Sequence, residues 1–294
     1  MSNVPFYLTD TRNGKGLRMG DSVARDGMIF DGLTDAYSKV HMGTAAELCA
    51  QKYGLTRAAQ DAYAKQSYER AQAASKAGRF ADEIVPIDIK GKDGKVLKRI
   101  TEDQEPFRAQ FDRFATLKPS FPTTVKGVSP AGVPAPAGTV TAANSSVIGD
   151  GGAALVLMAA SRARALGLKG LAVVLSHADA ALNPLDYPVA PESACRAAVK
   201  RAGLSGGVEG VDIWELNEAF SAVALANMQL LNIPANKINL NGGAVSLGHP
   251  IGCSGARIIC TLVSVLQQQN KAVGCASLCN GGGGASAVVI RRLE

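Results

Sequence analysis

The sequence lacks the features that define several large classes of protein. Its longest apolar runs, such as residues 153–160, are far too short to cross a bilayer, so we expect no membrane-spanning helix and no membrane partner. Aromatic residues make up only 5% of the chain, and no basic block is interleaved with them. We therefore expect no nucleic-acid partner, although the net charge of +6 mildly favours an anionic small ligand.

Cysteine is present, but not in the patterns of zinc sites or disulfide scaffolds. The thiols are dispersed in apolar or glycine-rich contexts, and none has a paired CxxC spacing. The six residues are Cys49, Cys195, Cys253, Cys260, Cys275 and Cys279. Reduced thiols are typical of an intracellular protein, and the sequence does not distinguish a mitochondrial from a cytoplasmic one.

The predicted pattern of secondary structure changes near residue 150. Residues 1–147 are irregular and α+β: they predict helices at 44–53 and 57–77, a hairpin of strands 83–90 and 96–100, and a proline-rich loop at 127–138. The remainder alternates short apolar strands with amphipathic helices, which is typical of an α/β domain whose helices cover a sheet. Its predicted strands are 153–158, 171–176, 212–216, 272–278 and 285–291, and its predicted helices are 191–202, 218–231 and 250–269. The last two strands should form an antiparallel hairpin.

Asn217 and Glu218 stand where an apolar strand gives way to a predicted helix. The favoured interpretation of these residues alone is structural: Asn217 caps the helix and Glu218 stabilises its first turn through the helix dipole. A functional interpretation stays open, because turns between strands and helices are where scaffolds of this kind carry functional groups.

His249 lies in a glycine-rich entrance to the next predicted helix, directly before Pro250. The dipole of that helix disfavours a positive charge, which should keep the imidazole neutral and able to donate one hydrogen bond. A lone histidine is more often structural than catalytic, but a surface histidine has no need of such an entrance.

Cys279 ends a predicted buried strand and faces four consecutive glycines. Their backbone N–H groups can form a nest for a developing oxyanion, which should also lower the pKa of the thiol. The alternative is a tight hairpin with an inert cysteine, although such a turn needs only one or two glycines. A thiol that moves a proton, with two neutral donors at Asn217 and His249, suits proton abstraction next to a thioester carbonyl.

The motifs around these residues resemble those of the thiolases, and jointly they are highly specific. They are NEAF at 217–220, GGAVSLGHPIGCSGAR at 242–257, CNGGGG at 279–284, HMGTAAE at 41–47 and GTVTAANSS at 138–146. Within the family, the CNGGGG ending and residues 187–191 are similar to the biosynthetic acetoacetyl-CoA thiolases, also called acetyl-CoA C-acetyltransferases. The resemblance implies a layered α-β-α fold with an α+β loop domain.

The resemblance also implies a reaction: Claisen condensation of two acetyl-CoA molecules to acetoacetyl-CoA and CoA, or the reverse thiolysis, through an acyl-cysteine. By motif, Cys279 resembles the acid/base thiol that deprotonates the second acetyl-CoA. His249 resembles the group that lines one oxyanion hole and orients the nucleophilic cysteine, and Asn217 resembles the residue that holds the water of the other hole.

Coenzyme A, as substrate and product, would lie along the loop domain by the same resemblance, with no tightly bound cofactor. The residues implied are Ser146, His41 and Met42 for the pantetheine end and Arg108 and Arg113 for the phosphates, with Tyr68 and Phe220 also among the CoA-binding residues. A potassium site is implied at Tyr68, Ala142, Ala143, Ser145 and Val245, with Ser145 in place of the usual alanine.

One departure from the family pattern concerns the N-terminal half-domain. The chain starts where the loop domain would begin, so we expect most of the N-terminal half-domain, with its nucleophilic cysteine, to be lacking. The expected division is a CoA-binding loop domain at 1–147, a remnant of the N-terminal half at 148–167 and a complete C-terminal half at 168–294. The protein would form a homo-oligomer or pair with a full-length thiolase. One rival hypothesis is a catalytically inactive CoA-binding or thiolase-partner chain, and another is an enzyme that uses Cys279 itself as the nucleophile for thioester hydrolysis.

Overall fold

The computed structural model describes residues 1–8, 19, 21–126, 129 and 135–294. The strands of these ranges are β1 Phe6–Leu8, β2 Ala24–Asp26, β3 Ile87–Lys90, β4 Val96–Ile100, β5 Ala172–Ala181, β6 Ile213–Leu216, β7 Val273–Asn280 and β8 Gly284–Arg292. The α-helices are α1 Met42–Lys52, α2 Arg57–Lys76, α3 Ala160–Ala165, α4 Ala190–Arg201, α5 Ser221–Leu231, α6 Ala244–Leu247 and α7 Ile251–Gln268. Short 3-10 turns connect several of them.

The first half of the chain folds largely as its local sequence predicts. The side chain of Thr56 accepts the backbone N–H of Ala59 at 3.1 Å, which caps the start of α2. The antiparallel pairing of β3 with β4 confirms the hairpin, whose turn needs the positive φ of 79° at Gly94. The proline-rich loop predicted at 127–138 lies largely outside the described residues.

A four-stranded sheet in the order β5-β8-β7-β6 forms the centre of the second half. The antiparallel β7–β8 pair confirms the predicted hairpin, and the β6–β7 pair is parallel. β5 is longer than predicted and pairs with β8 from Ala172 to Ala181, with one irregularity in the register between Val174 and Ser176.

The two faces of this sheet are covered by different helices, as alternating side chains require. Trp214 of β6, Cys275 of β7 and Val289 of β8 pack with residues of α4 on one face. Ile213, Ala276 and Ile290 pack on the other face against α7, through Ile258, Leu262, Val265 and Leu266. Of the described helices, α7 is the one long and apolar enough to cross a membrane by length and composition, and its apolar side is this core contact.

The predicted strand at 153–158 is not formed. This segment is irregular and exposed, with Val156 at 87% and Leu157 at 72% exposure. Among the described residues, no neighbouring strand bonds to its backbone, and a strand without a partner gains nothing from high strand propensity.

Candidate active site

Asn217 follows the last residue of β6 and lies beside β7, but it does not cap a helix. Its backbone N–H donates to the carbonyl of Ser277 at 2.9 Å, which continues the parallel pairing toward Cys279, two residues further along β7. Helix α5 begins only at Ser221. The capping interpretation is therefore wrong.

Residues 217–220 are held extended by a second segment of the chain. The backbone N–H of Ser146 donates to the carbonyl of Ala219 at 3.0 Å, and that of Ser221 donates to the carbonyl of Asn144 at 2.8 Å. These two bonds form an isolated antiparallel bridge between Ser145 and Phe220. Paired in this way, the segment cannot take helical backbone angles.

Glu218 is fully buried, and its carboxylate accepts four hydrogen bonds. Oε1 accepts from the Tyr63 hydroxyl at 2.9 Å and from the Asn239 amide at 3.0 Å. Oε2 accepts from the Ser67 hydroxyl at 2.7 Å and from the Val245 backbone at 3.0 Å. This network could not be predicted from the sequence, because its members come from α2, the β6–α5 connection, the α5–α6 connection and α6.

His249 contacts two polar side chains, one through each ring nitrogen. Nε2 lies 3.3 Å from the Asn217 side-chain nitrogen, and Nδ1 lies 2.6 Å from the Ser254 hydroxyl. Its backbone N–H donates to the carbonyl of Val147 at 2.9 Å, which fixes the position of the ring before α7 begins. The structure thus brings together Asn217 and His249, which are 32 residues apart.

The pKa of His249 is lowered to about 4, first by burial of the ring and then by the positive charge of Arg257. The neutral imidazole expected from the sequence is present, but burial rather than the helix dipole is the main cause. Arg257 itself is unusual, because all three guanidinium nitrogens are buried and have no partner among the described residues. Sequence reasoning missed both Arg257 and Ser254, which differ in no visible way from ordinary residues of α7.

Cys279 is buried near the end of β7, at 7% exposure, in an apolar cluster with Met42, Tyr187 and Phe220. Burial raises the pKa of its thiol to about 12, and the one opposing effect is a backbone hydrogen bond. The expectation that the glycine turn lowers this pKa is therefore wrong, because desolvation of the thiolate outweighs the backbone donor.

The glycine run has a steric explanation at three of its four positions. Gly282 and Gly283 have φ of 84° and 90°, which side chains other than glycine rarely adopt. A Cβ at Gly283 would lie 2.3 Å from the Leu182 carbonyl oxygen, and one at Gly284 would lie 2.5 Å from the Asn280 amide. Close packing of a three-residue turn therefore explains most of the run.

The residues implied for the pantetheine end line one side of this cluster. The His41 ring stacks on Phe121 with centroids 4.8 Å apart, and Phe121 meets Phe220 edge-on at 6.1 Å. Met42 belongs to the same cluster as Cys279. Phe121 could not be singled out from the sequence, because its position in the site depends on this stacking.

The two arginines implied for the phosphates lie on neighbouring 3-10 turns, Glu105–Arg108 and Phe111–Thr116. Both side chains are exposed: Arg108 pairs with Glu105 at 3.0 Å and Arg113 donates to the Gln110 side chain at 3.0 Å. Exposed guanidinium groups with weak local partners can turn toward a phosphate.

The residues implied for potassium also come together. Tyr68, Ala143 and Val245 pack in one buried cluster, next to Ala142 and Ser145 along the chain. The backbone carbonyls of Ala142, Ala143, Ser145 and Val245 accept no hydrogen bond from the described residues. Oxygen atoms without donors beside a phenol are ligands that a hard monovalent cation accepts, so the residues fit the ion. No group of three or more His, Cys, Asp or Glu in the described ranges could hold another metal.

Taken together, the site has a buried thiol at a strand end and, at the neighbouring strand end, a neutral histidine bonded to an asparagine. Such an arrangement can move a proton and stabilise a developing oxyanion by neutral donors. Such groups suit an enzyme of the acyl-transfer class.

Comparison with known families and proteins identifies the family. The model of the thiolase N-terminal domain matches residues 1–161, and that of the thiolase C-terminal domain matches residues 168–292. The chain therefore belongs to the thiolase family. The expectation that most of the N-terminal half-domain is lacking is wrong, because the irregular first half of the chain lies inside the matched N-terminal domain.

Curated relatives are similar to the chain over its whole length. The cytosolic acetyl-CoA acetyltransferase ERG10 of Gibberella zeae is 46% identical, acetyl-CoA acetyltransferase IA of Candida tropicalis 47%, and a probable acetyl-CoA acetyltransferase of Dictyostelium discoideum 45%. The matches cover 100% of this chain and 70%, 69% and 66% of those proteins, respectively. These relatives identify the chain as an acyltransferase.

Solved structures agree with the fold. The Acat5 thiolase of Ascaris suum in complex with coenzyme A superposes with a TM-score of 0.83 at 36% identity, over 99% of this chain and 69% of that one. The acetyl-CoA acetyltransferase of Bacillus anthracis gives 0.85 at 36% identity, over 98% and 68%. The thiolase-like α/β fold expected from the motifs is confirmed.

The Glu218 network yields a test of how the site is held. Replacing Glu218 by Gln puts an amide N–H₂ against two of the four donors, so the free energy of unfolding should fall by about 2 to 3 kcal/mol. Urea denaturation measures this change. The matched control is Glu209→Gln on the surface, expected to stay within about 0.5 kcal/mol of the parent. If the two variants have the same free energy of unfolding, the Glu218 network does not stabilise the fold.

Proposed function

We propose that the protein takes part in the thiolase reaction on acetyl-CoA, and that Cys279 moves the proton at the reacting methyl group. The observation that carries this proposal is the position of the buried Cys279 thiol. It lies near the end of β7, and at the neighbouring end of β6 Asn217 contacts the neutral His249. Removal of a proton from the methyl of acetyl-CoA gives an enolate, and its attack on an acetyl thioester forms acetoacetyl-CoA and releases the thiol that carried the acetyl group. Thiolysis is the reverse.

Asn217 is proposed to hold the water of one oxyanion hole. Its side-chain Oδ1 is buried and has no hydrogen-bond partner among the described residues, which leaves it able to accept from a water molecule. His249 is proposed to line the other oxyanion hole, where its lowered pKa keeps the ring neutral at pH 7.

Coenzyme A is proposed to lie between the surface arginines and the thiol. Arg108 and Arg113 would face the phosphates, while Ser146 and the stacked ring of His41 would lie along the pantetheine. The net positive charge of the chain favours this anionic substrate.

Proton exchange at acetyl-CoA in D₂O tests the role of Cys279 without requiring condensation. Replacing Cys279 by Ala should lower the rate of deuterium uptake into the methyl group by about 100- to 10,000-fold, because it removes the acid/base group. Mass spectrometry of recovered acetyl-CoA measures the uptake, and Cys260→Ala is the matched control on α7.

The pH dependence of the same exchange is a second readout. Because the pKa of Cys279 is raised to about 12, the thiolate fraction should increase with pH throughout the range from 7 to 10. The exchange rate should rise with it, with no plateau. Full exchange in Cys279→Ala would remove Cys279 from the mechanism, whereas no exchange in the parent protein would favour the inactive CoA-binding alternative.

We also propose that the acyl-carrying thiol is not among the six cysteines of this chain. None lies in the family's nucleophile motif, Cys195 and Cys275 are fully buried, and burial raises the pKa of Cys49 to about 12. A protonated, buried thiol is a poor nucleophile. The thiol would then be supplied by another thiolase chain in an oligomer.

Acetyl transfer from isotope-labelled acetyl-CoA locates the acyl group directly. After incubation with the purified chain and denaturation, peptide mass spectrometry should find no acetyl thioester on any of the six cysteines, whereas mixing with a full-length thiolase should produce acetylated peptides from that partner. A label on Cys49 or another cysteine of this chain would overturn the proposal.

Potassium binding is proposed at the site around Tyr68. When bound, the ion would order the backbone of residues 142–145 and Val245, next to the segment that pairs with Phe220. The thermal midpoint in KCl should exceed that in NaCl of equal ionic strength by about 2 to 4 °C. Tyr68→Phe should remove this difference and Tyr53→Phe should keep it; equal midpoints in both salts for the parent protein would contradict the site.

A further inference from the structure

The turn that carries Arg113 is held by a side chain from another element. Arg57, the first residue of α2, donates through Nη2 to the backbone carbonyls of Phe114 at 2.6 Å and Leu117 at 3.0 Å. These carbonyls lie within and directly after the Phe111–Thr116 turn. The position of Arg113, one of the two arginines proposed for the phosphates of CoA, therefore depends on where the Arg57 guanidinium points.

Asp61 fixes the direction of that guanidinium. Its Oδ2 accepts from Nε of Arg57 at 2.7 Å, one helical turn away, and the two side chains are only 15% and 23% exposed. Salt and solvent weaken such a partly buried pair less than an ion pair on the surface. Because a guanidinium is planar and its N–H groups have fixed directions, a bond to Nε also sets the direction of Nη2.

The other oxygen of Asp61 bonds to a different segment, 83 residues further along the chain. Oδ1 accepts from the side-chain amide of Asn144 at 2.8 Å. The orientation of this amide follows from its other partners: its nitrogen also donates to the Thr139 carbonyl at 3.0 Å, and its oxygen accepts from the backbone N–H of Thr141 at 2.8 Å. Asp61 is thus bonded to a fully buried residue two positions before Ser146, which is proposed for the pantetheine of CoA.

We propose that Asp61 is a positioning residue that sets the spacing between the phosphate end and the pantetheine end of the CoA site. It acts through Arg57 on the first end and through Asn144 on the second. A ligand that spans both ends binds more tightly when the two ends are already held at the right separation, because less conformational freedom is lost on binding. This role rests on the proposed function, since it concerns the site proposed there for CoA.

Replacing Asp61 by Asn tests this role directly. An amide has one oxygen, so it can accept from only one of the two partners and turns its N–H₂ group toward the other donor. Calorimetry should show that the Kd for CoA is about 3- to 10-fold higher for Asp61→Asn than for the parent protein. The matched control is Glu69→Gln, because Glu69 pairs with Lys65 at the same spacing on α2, but both side chains are more than half exposed. This control should bind CoA as the parent does.

Fragments of CoA separate positioning from the loss of a direct contact or of the fold. Adenosine 3′,5′-bisphosphate carries the phosphate end alone, and pantetheine carries the other end alone. Ligand-observed NMR should show that Asp61→Asn binds each fragment as the parent does, so that only CoA, which spans both ends, loses affinity. If a fragment is weakened as much as CoA, or if the Kd for CoA is unchanged in the folded variant, Asp61 does not have the positioning role.

A second variant, Arg57→Lys, provides the same test if Asp61→Asn does not fold. It keeps the positive charge beside Asp61, but a lysine ammonium lacks the planar set of donors that reaches the carboxylate and the two turn carbonyls together. CoA should again be weakened and both fragments unchanged. If the parent protein binds no CoA, the proposed function fails and the role of Asp61 with it. If the parent binds CoA and the folded variants bind it equally well, only the role of Asp61 fails.

Discussion

Burial of the Glu218 carboxylate is the constraint on which the site depends. A carboxylate without donors in the interior would cost several kcal/mol, so the fold must bring donors to it. Those donors come from Tyr63 and Ser67 of α2, from Asn239 and from the backbone of Val245. Meeting this requirement ties the first half of the chain to the second and prevents the residues before α5 from joining that helix.

The same constraint explains what the sequence could and could not predict. Local patterns were sufficient for α2, for the β3–β4 hairpin and for the β7–β8 pair, because each is stabilised by neighbours in the chain. They misplaced the start of α5, where long-range hydrogen bonds override the capping preference of Asn217, and they predicted a strand at 153–158 that has no partner. The proposed domain boundaries at 147 and 167 stay a prediction.

Within the site, the sequence predicted which residues come together better than it predicted their pKa values. The motifs singled out Cys279, His249 and Asn217, and the structure places Asn217 against His249 and beside the strand that ends at Cys279. The pKa of the Cys279 thiol is raised, whereas the glycine turn predicted that it would be lowered. The sequence shows the N–H groups of the turn, but burial of the thiol depends on neighbours from α1 and α5 that are distant along the chain. Ser254 and Arg257 could not be found from sequence, because nothing in their spacing reveals a contact with His249.

Charge balance around His249 limits when it can take part in proton transfer. The Arg257 guanidinium has no hydrogen-bond partner among the described residues, and its charge is the second cause, after burial, of the lowered pKa of His249. The same charge opposes the rise in pKa that burial gives the carboxyl groups of Glu83, Asp103 and Glu215. A proton added to the resting ring would place two cations in one buried region, which is costly. Burial first, and the Arg257 charge second, thus keep the resting His249 ring neutral, the state in which it can donate a single hydrogen bond.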